Sequence, residues 1–214
     1  MTHLILIAIF CDISYNVGGE NMIKYPNGSR KSFKSKRNIS TSANRGIALE
    51  EEINATNKYY LDLNVAVIHK KPVPIQVVDV HYPQRSMAEI TKAYYVTPST
   101  TDYNGVYKGR AIDFEVKQTK SKTSFPFASI HKHQVKHLEK VIAHGAIAFI
   151  IIRFSAYDET YYVKAKDLIP LYYGKRRSIP YQWFSENAYL IPFSLKPPVD
   201  YLKVIDQLYF EREC

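Results

Sequence analysis

The run AIAFIIIRF at residues 146–154 is apolar at every position except Arg153. Successive strand side chains point to opposite faces, so a strand of this composition has to be covered on both sides. That requirement confines the chain to layered architectures in which helices pack on each face of a sheet. The flanking patterns supply the layers. Helical periodicity begins near Asn44, with Ile47, Leu49, Ile53 and Tyr60 on one stripe and Glu50, Glu51 and Glu52 in the early turns. Two β-rich runs, Val65–His69 and Ile75–Val80, follow across the Pro72/Pro74 turn signal. Another strand is predicted around Asp113–Lys117 and a helix from about Ser129 to His144, which Gly145 stops. Tyr161–Lys164 and Ala188–Phe193 read as strands, and Asp167–Tyr173 and Tyr201–Phe210 as helices. The order α-β-β-β-α-β predicts an α/β sandwich around a mixed sheet.

Two segments stand outside this pattern. Residues 22–45 hold seven Lys or Arg and no acid, with too few apolar residues for a core. They are expected to form a disordered basic arm that orders on phosphates, through Lys24, Arg30, Lys31, Lys34, Lys36 and Arg37. From His81 to Pro98 no period is visible, which points to a functional excursion out of the sheet. The net charge of +9 and the 18 tyrosines favour a polyanionic partner, nucleic acid or anionic membrane. The two cysteines, Cys11 and Cys214, make neither a disulfide framework nor a zinc spacing, so a reducing cytoplasm is expected.

The apolar run Leu4–Phe10 is too short to span a bilayer and lacks the flanks of a secretory signal. Gly18-Gly19-Glu20-Asn21-Met22 matches what a translated ribosome-binding site before a start codon would encode. Met22 is therefore the expected start, and residues 1–21 the product of upstream translation.

The chemistry is concentrated between Thr100 and Gln134. In RAIDFEVKQTK (110–120), Ile112, Phe114 and Val116 alternate with Asp113, Glu115 and Lys117. One strand face therefore carries two carboxylates and an ammonium. Asn104-Gly105 reads as the turn of a hairpin joining this strand to Thr100–Asp102, which sets Asp102 opposite Glu115. Two hard oxygen ligands suit magnesium, with water and phosphate completing its shell. Lys117 on the same face could stabilise charge developing on a phosphate. Gln134 falls on the apolar stripe of Ile130, Leu138 and Val141, where it must be either hydrogen-bonded or a ligand.

Other signals are weaker. His133 and His137 have an i, i+4 zinc spacing but no third ligand, and Gln134 stands where a zincin motif needs Glu. Lys175, Arg176 and Arg177 read as a solvated loop or a phosphate contact. Trp183 reads as core.

The pattern D-x(12)-E-x-K, with the helical glutamates of NRGIALEEEIN upstream, resembles the PD-(D/E)-x-K nuclease superfamily. The blocks AVIHKKPVPIQVV, TPSTTDYNGVYKGRAIDFEVKQTK and HQVKHLEKV resemble, more closely, the RecU-type Holliday junction resolvases. Thr101 replaces the superfamily's usual proline before the first aspartate. The resemblance implies an α/β, restriction-endonuclease-like fold, a mixed central sheet flanked by helices with a protruding stalk. The nuclease domain would span 46–214 and the stalk about 81–98. Thr100, Asp102, Glu115 and Gln134 match the family's Mg2+ positions, and Lys117 its transition-state stabiliser, so that Asp102, Glu115 and Lys117 form the catalytic set. Arg85 falls in the stalk that enters the junction, and Glu50 and Asp113 are expected to be supporting groups.

The implied activity is a magnesium-dependent endonuclease that resolves four-way (Holliday) DNA junctions by paired symmetric nicks, leaving 5′-phosphates. A homodimer would supply the two sites a two-fold junction needs. Recombinase and branch-migration proteins are the further partners the resemblance implies, and no membrane. The alternatives are a restriction-like duplex nuclease and a non-catalytic junction-binding protein.

Overall fold

The structure, a computed structural model, describes residues 42–84, 87–96 and 100–211. The expected upstream segment 1–21, the arm with Lys24, Arg30, Lys31, Lys34, Lys36 and Arg37, and the stalk residue Arg85 lie outside them. Among the described residues, no helix is long and apolar enough to cross a membrane.

A six-stranded mixed sheet forms the centre, in the order β1 (Val67–Lys70), β4 (Tyr103–Tyr107), β5 (Arg110–Thr119), β7 (Ile147–Phe154), β8 (Glu159–Lys164), β10 (Tyr189–Ile191). The central β5–β7 pair is parallel and the other four pairings are antiparallel. The apolar run is β7, and its side chains divide as its composition requires. Ile147, Phe149 and Ile151 enter one core with Leu49, Ile53 and Tyr60 of α1 (Ser42–Asp62) and with Tyr201, Leu202 and Ile205 of α5 (Tyr201–Tyr209). Ala148, Ile150, Ile152 and Phe154 enter a second core. There they meet Val135 and Leu138 of α2 (Lys132–Ala143), Leu168 of α3 (Ala165–Tyr172) and Phe184 of α4 (Tyr181–Asn187). Trp183 is half-buried against this second core. The chain thus has the mixed central sheet flanked by helices that the sequence predicts.

Aromatic rings run across the middle of the first core. Phe114 on β5 stacks on Tyr103 of β4 at 4.9 Å and on Phe149 of β7 at 4.7 Å, and Phe149 stacks on Tyr162 of β8 at 4.4 Å. Each such pair contributes about 0.5–1.5 kcal/mol beyond area burial. A slip of one residue would expel every ring from the core. The row therefore fixes the register Tyr103↔Phe114, which in turn positions the residues on either side.

The hairpin turn differs from expectation. Asn104 and Gly105 lie inside β4, and the chain reverses at Lys108-Gly109, both with positive φ (46° and 73°). Gly105 serves close approach instead, because a Cβ there would come within 2.1 Å of the Val67 carbonyl oxygen on β1.

The expected excursion also has structure. β2 (Ile75–His81) and β3 (Glu89–Tyr95) pair with each other as a separate antiparallel ribbon. Its start is Ile75 rather than 81. β2 falls on the β-rich run Ile75–Val80, and in this ribbon Ile75, Val77, Val78, Ile90, Tyr94 and Tyr95 are all exposed. Two short strands, β6 (Ser124–Pro126) and β9 (Ser178–Pro180), form a further antiparallel pair.

Candidate active site

Because Ile112 and Phe114 face the first core, Asp113, Glu115 and Lys117 face the other side of β5, towards α2. The ring-fixed register brings the residue before Tyr103 beside Glu115, and the Asp102 backbone N–H donates to Glu115 Oε2 at 3.1 Å. Asp102 and Glu115 are thus adjacent, as the spacing predicts, although through a longer hairpin than Asn104-Gly105 would have made. Lys117 Nζ lies 2.6 Å from Glu115 Oε1.

Glu115 is fully buried. Burial, and then the neighbouring Asp102, push its carboxyl up to about 8, against the opposing pull of Lys117. Lys117 meets Oε1 as an ion-pair partner, and that oxygen accepts no other donor among the described residues. The Lys117 ammonium partly offsets the cost of burying that oxygen.

Gln134 sits in the first turn of α2 and is buried. Its Oε1 accepts the backbone N–H of His131 at 2.9 Å, closing the helix N-terminus. The satisfied alternative therefore holds for one lone pair of this oxygen, and a second remains available. Gln134 lines an open cleft together with Asp102, Lys117, His131, His133 and Tyr95. Asp102 also borders an adjoining cleft, with Thr100, Thr101 and Glu50. Thr100 Oγ1 donates to the Thr101 carbonyl at 3.3 Å. Of the three consecutive helical glutamates, Glu50 faces this second cleft and pairs with Lys70, whereas Glu52 pairs with Arg153 on β7 at 2.6 Å.

Asp113 shares the face of Glu115 but is engaged by three protein groups. Lys71 Nζ donates to Oδ2 at 3.0 Å, His137 Nε2 stands 3.1 Å from the same oxygen, and the Thr101 hydroxyl donates to Oδ1. Sequence reasoning missed Lys71, Thr101 and His137. Only Thr101, next to Asp102, carried a signal, and it read as a departure from a motif. His137 is thereby committed to Asp113 rather than to a zinc pair with His133, whose ring stands near that of His131. Among the described residues, no cluster of three or more His, Cys, Asp and Glu side chains is arranged to hold a metal.

The donors around Asp102 fit a hard cation instead. Two carboxylates, an amide oxygen and a hydroxyl are the oxygen types magnesium takes, and Glu115 Oε1 is a buried acceptor that meets no donor but Lys117 among the described residues.

The model of the family "Recombination protein U" (RecU) matches residues 44–207. The "Holliday junction resolvase RecU" of Oceanobacillus iheyensis is 52% identical over 196 residues, covering 88% of this chain and 100% of that one. The protein of the same name from Geobacillus kaustophilus is 48% identical over 198 residues, covering 89% and 99%. Among solved structures, Hjc of Archaeoglobus fulgidus, a Holliday junction resolvase, overlaps 65% of this chain and 86% of its own at 11% identity and a TM-score of 0.34. A family match across most of the chain, and half-identity to relatives covered end to end, leave one conclusion: this chain belongs to the Recombination protein U (RecU) family.

Proposed function

We propose that this RecU-family protein is a Holliday junction resolvase, a magnesium-dependent endonuclease that cuts four-way DNA junctions by paired symmetric nicks. The observation that carries the reading is the pairing of Asp102 with the buried Glu115, with Lys117 at hydrogen-bonding distance. Names of relatives half-identical to it support the substrate. Asp102, Glu115, Gln134 and Thr100 would hold the cation. When bound, it would supply Lewis-acid polarisation of the scissile phosphate and a lowered pKa for water.

The chain's own groups do the rest. Lys117, on the same strand face as Glu115, would offer its ammonium to the phosphate and offset charge that grows in the transition state. Burial of Glu115 excludes water from one side of the site and keeps that ligand from being hydrated. Arg85 in the stalk, and Lys24, Arg30, Lys31, Lys34, Lys36 and Arg37 in the arm, would contact DNA. A homodimer would set two such sites against the two-fold symmetry of the junction. The protein would work in the cytoplasm, alongside recombinase and branch-migration proteins.

Labelled four-way junction and linear duplex, each with Mg2+, Ca2+ or EDTA, test the reading. Symmetric nicks on the junction with Mg2+ alone are expected. Equal cutting of duplex would replace the proposal by a duplex nuclease, and binding without cutting in every cation by a junction-binding protein.

A further inference from the structure

Asp113 joins segments distant in sequence that carry the candidate ligands. Its carboxylate is buried on β5, two residues before Glu115. Thr101, whose hydroxyl it accepts, precedes Asp102 directly. Lys71, whose ammonium it accepts at 3.0 Å, also donates from that ammonium to Thr101 Oγ1 at 3.1 Å. The same lysine's backbone N–H donates to the Asp102 carbonyl at 2.7 Å. His137, at 3.1 Å from Asp113, is one turn beyond Gln134 on α2.

Asp102 itself is thus gripped through its backbone from two sides. Its carbonyl is held by Lys71 and its N–H by Glu115, and Lys71 is held in turn by Asp113. The alternation of β5 makes this possible, since Asp113 and Glu115 point to the same face of the strand, where one accepts from the Thr101 hydroxyl and the other from the Asp102 backbone N–H.

We infer that Asp113 is a positioning residue: with Thr101 and Lys71 it sets the place of the Asp102 carboxylate, and through His137 that of Gln134, for cation binding. The inference rests on the metal-site reading above and deepens it. In this role Asp113 acts behind the ligands, with its two oxygens engaged by three protein partners. A buried, hydrogen-bonded carboxylate that orients ligands without touching the ion tunes affinity, and its loss typically costs 10- to 100-fold.

The test measures cation binding without cleavage. Full-length wild type, Asp113→Ala, Thr101→Val and Thr101→Ser are titrated with Mg2+ and with Ca2+ by calorimetry, and their junction affinity is measured in EDTA. Asp113→Ala and Thr101→Val should weaken cation binding at least tenfold, while EDTA affinity for the junction stays within twofold. Thr101→Ser keeps the hydroxyl and should bind within threefold of wild type, which separates hydrogen bonding from simple occupancy of space. Thr101→Val also carries the test if Asp113→Ala does not fold, because valine matches threonine in shape. Cation affinity within twofold of wild type in a folded Thr101→Val protein would overturn the inference. If wild type binds cations but cuts no junction, the resolvase reading fails. The positioning inference then stands or falls on the same titrations.

Discussion

Glu115 should make the cation-free protein less stable as pH rises. Its carboxyl is raised from 4.5 to about 8, by burial first and then by Asp102, with Lys117 opposing. Between those two values the folded protein holds a proton that the unfolded chain has released. Stability therefore falls with increasing pH, since the folded state binds more protons. The contribution is complete below pH 4.5 and has gone above pH 8. At about 1.4 kcal/mol per tenfold change in proton affinity, the whole span amounts to roughly 4–5 kcal/mol, large beside the 5–15 kcal/mol of a typical domain. Glu115→Gln removes the titration while keeping the shape. Urea denaturation in EDTA at pH 5, 6, 7, 8 and 9 should show the variant gaining on wild type by about 4 kcal/mol between pH 5 and 8, then levelling. Cation binding provides an independent reading, because the ligand must be deprotonated. The half-saturating Mg2+ concentration of wild type should fall by about tenfold per pH unit from 6 to 8. A stability difference that stays flat across this range, or Mg2+ binding indifferent to pH, would refute the reasoning.

Four further outcomes are expected. Asp102→Asn and Glu115→Gln should abolish cleavage while retaining junction binding, since affinity resides mainly in phosphate contacts; near-normal cutting by either would remove that carboxylate from the site. Lys117→Ala should slow single-turnover cleavage by roughly a hundredfold with junction affinity little changed, and a parallel fall in binding would make it a positioning contact instead. Arg85→Ala should weaken junction binding more than duplex binding, whereas removal of residues 22–45 should weaken both and flatten their salt dependence; titrations at two salt concentrations separate these effects. Gly105→Ala should destabilise the protein by well over 1 kcal/mol, because the new methyl would meet the Val67 carbonyl at 2.1 Å and force β1 off β4, and an unchanged urea midpoint would show that β1 is not held at that point.

Much of the site follows from local sequence because strand geometry is short-ranged. The alternation through Ile112–Lys117 puts Glu115 and Lys117 on one face wherever the strand lies, and AIAFIIIRF demands cover on both faces of its sheet. The amphipathic pattern after Ser129 likewise puts Gln134 on the buried side of α2, and the structure agrees. The turn was not legible, since an Asn-Gly pair signals a hairpin only where nothing packs over it, and here β1 does. The ribbon was half legible. The β-rich run of β2 marks a strand, but its side chains are exposed because β3 is its one strand partner among the described residues.

Sequence by itself determined which candidate side chains share a face, because residue type, spacing and the two-residue period decide it. Tertiary structure decided their state. The stacked row of Tyr103, Phe114, Phe149 and Tyr162 sets the register that brings Asp102 to Glu115. Burial raises the Glu115 carboxyl, and Lys71 and His137 converge on Asp113 from 42 and 24 residues away. Hydrogen bonds and desolvation depend on distances of a few ångströms between segments far apart in the chain, and only packing fixes those distances.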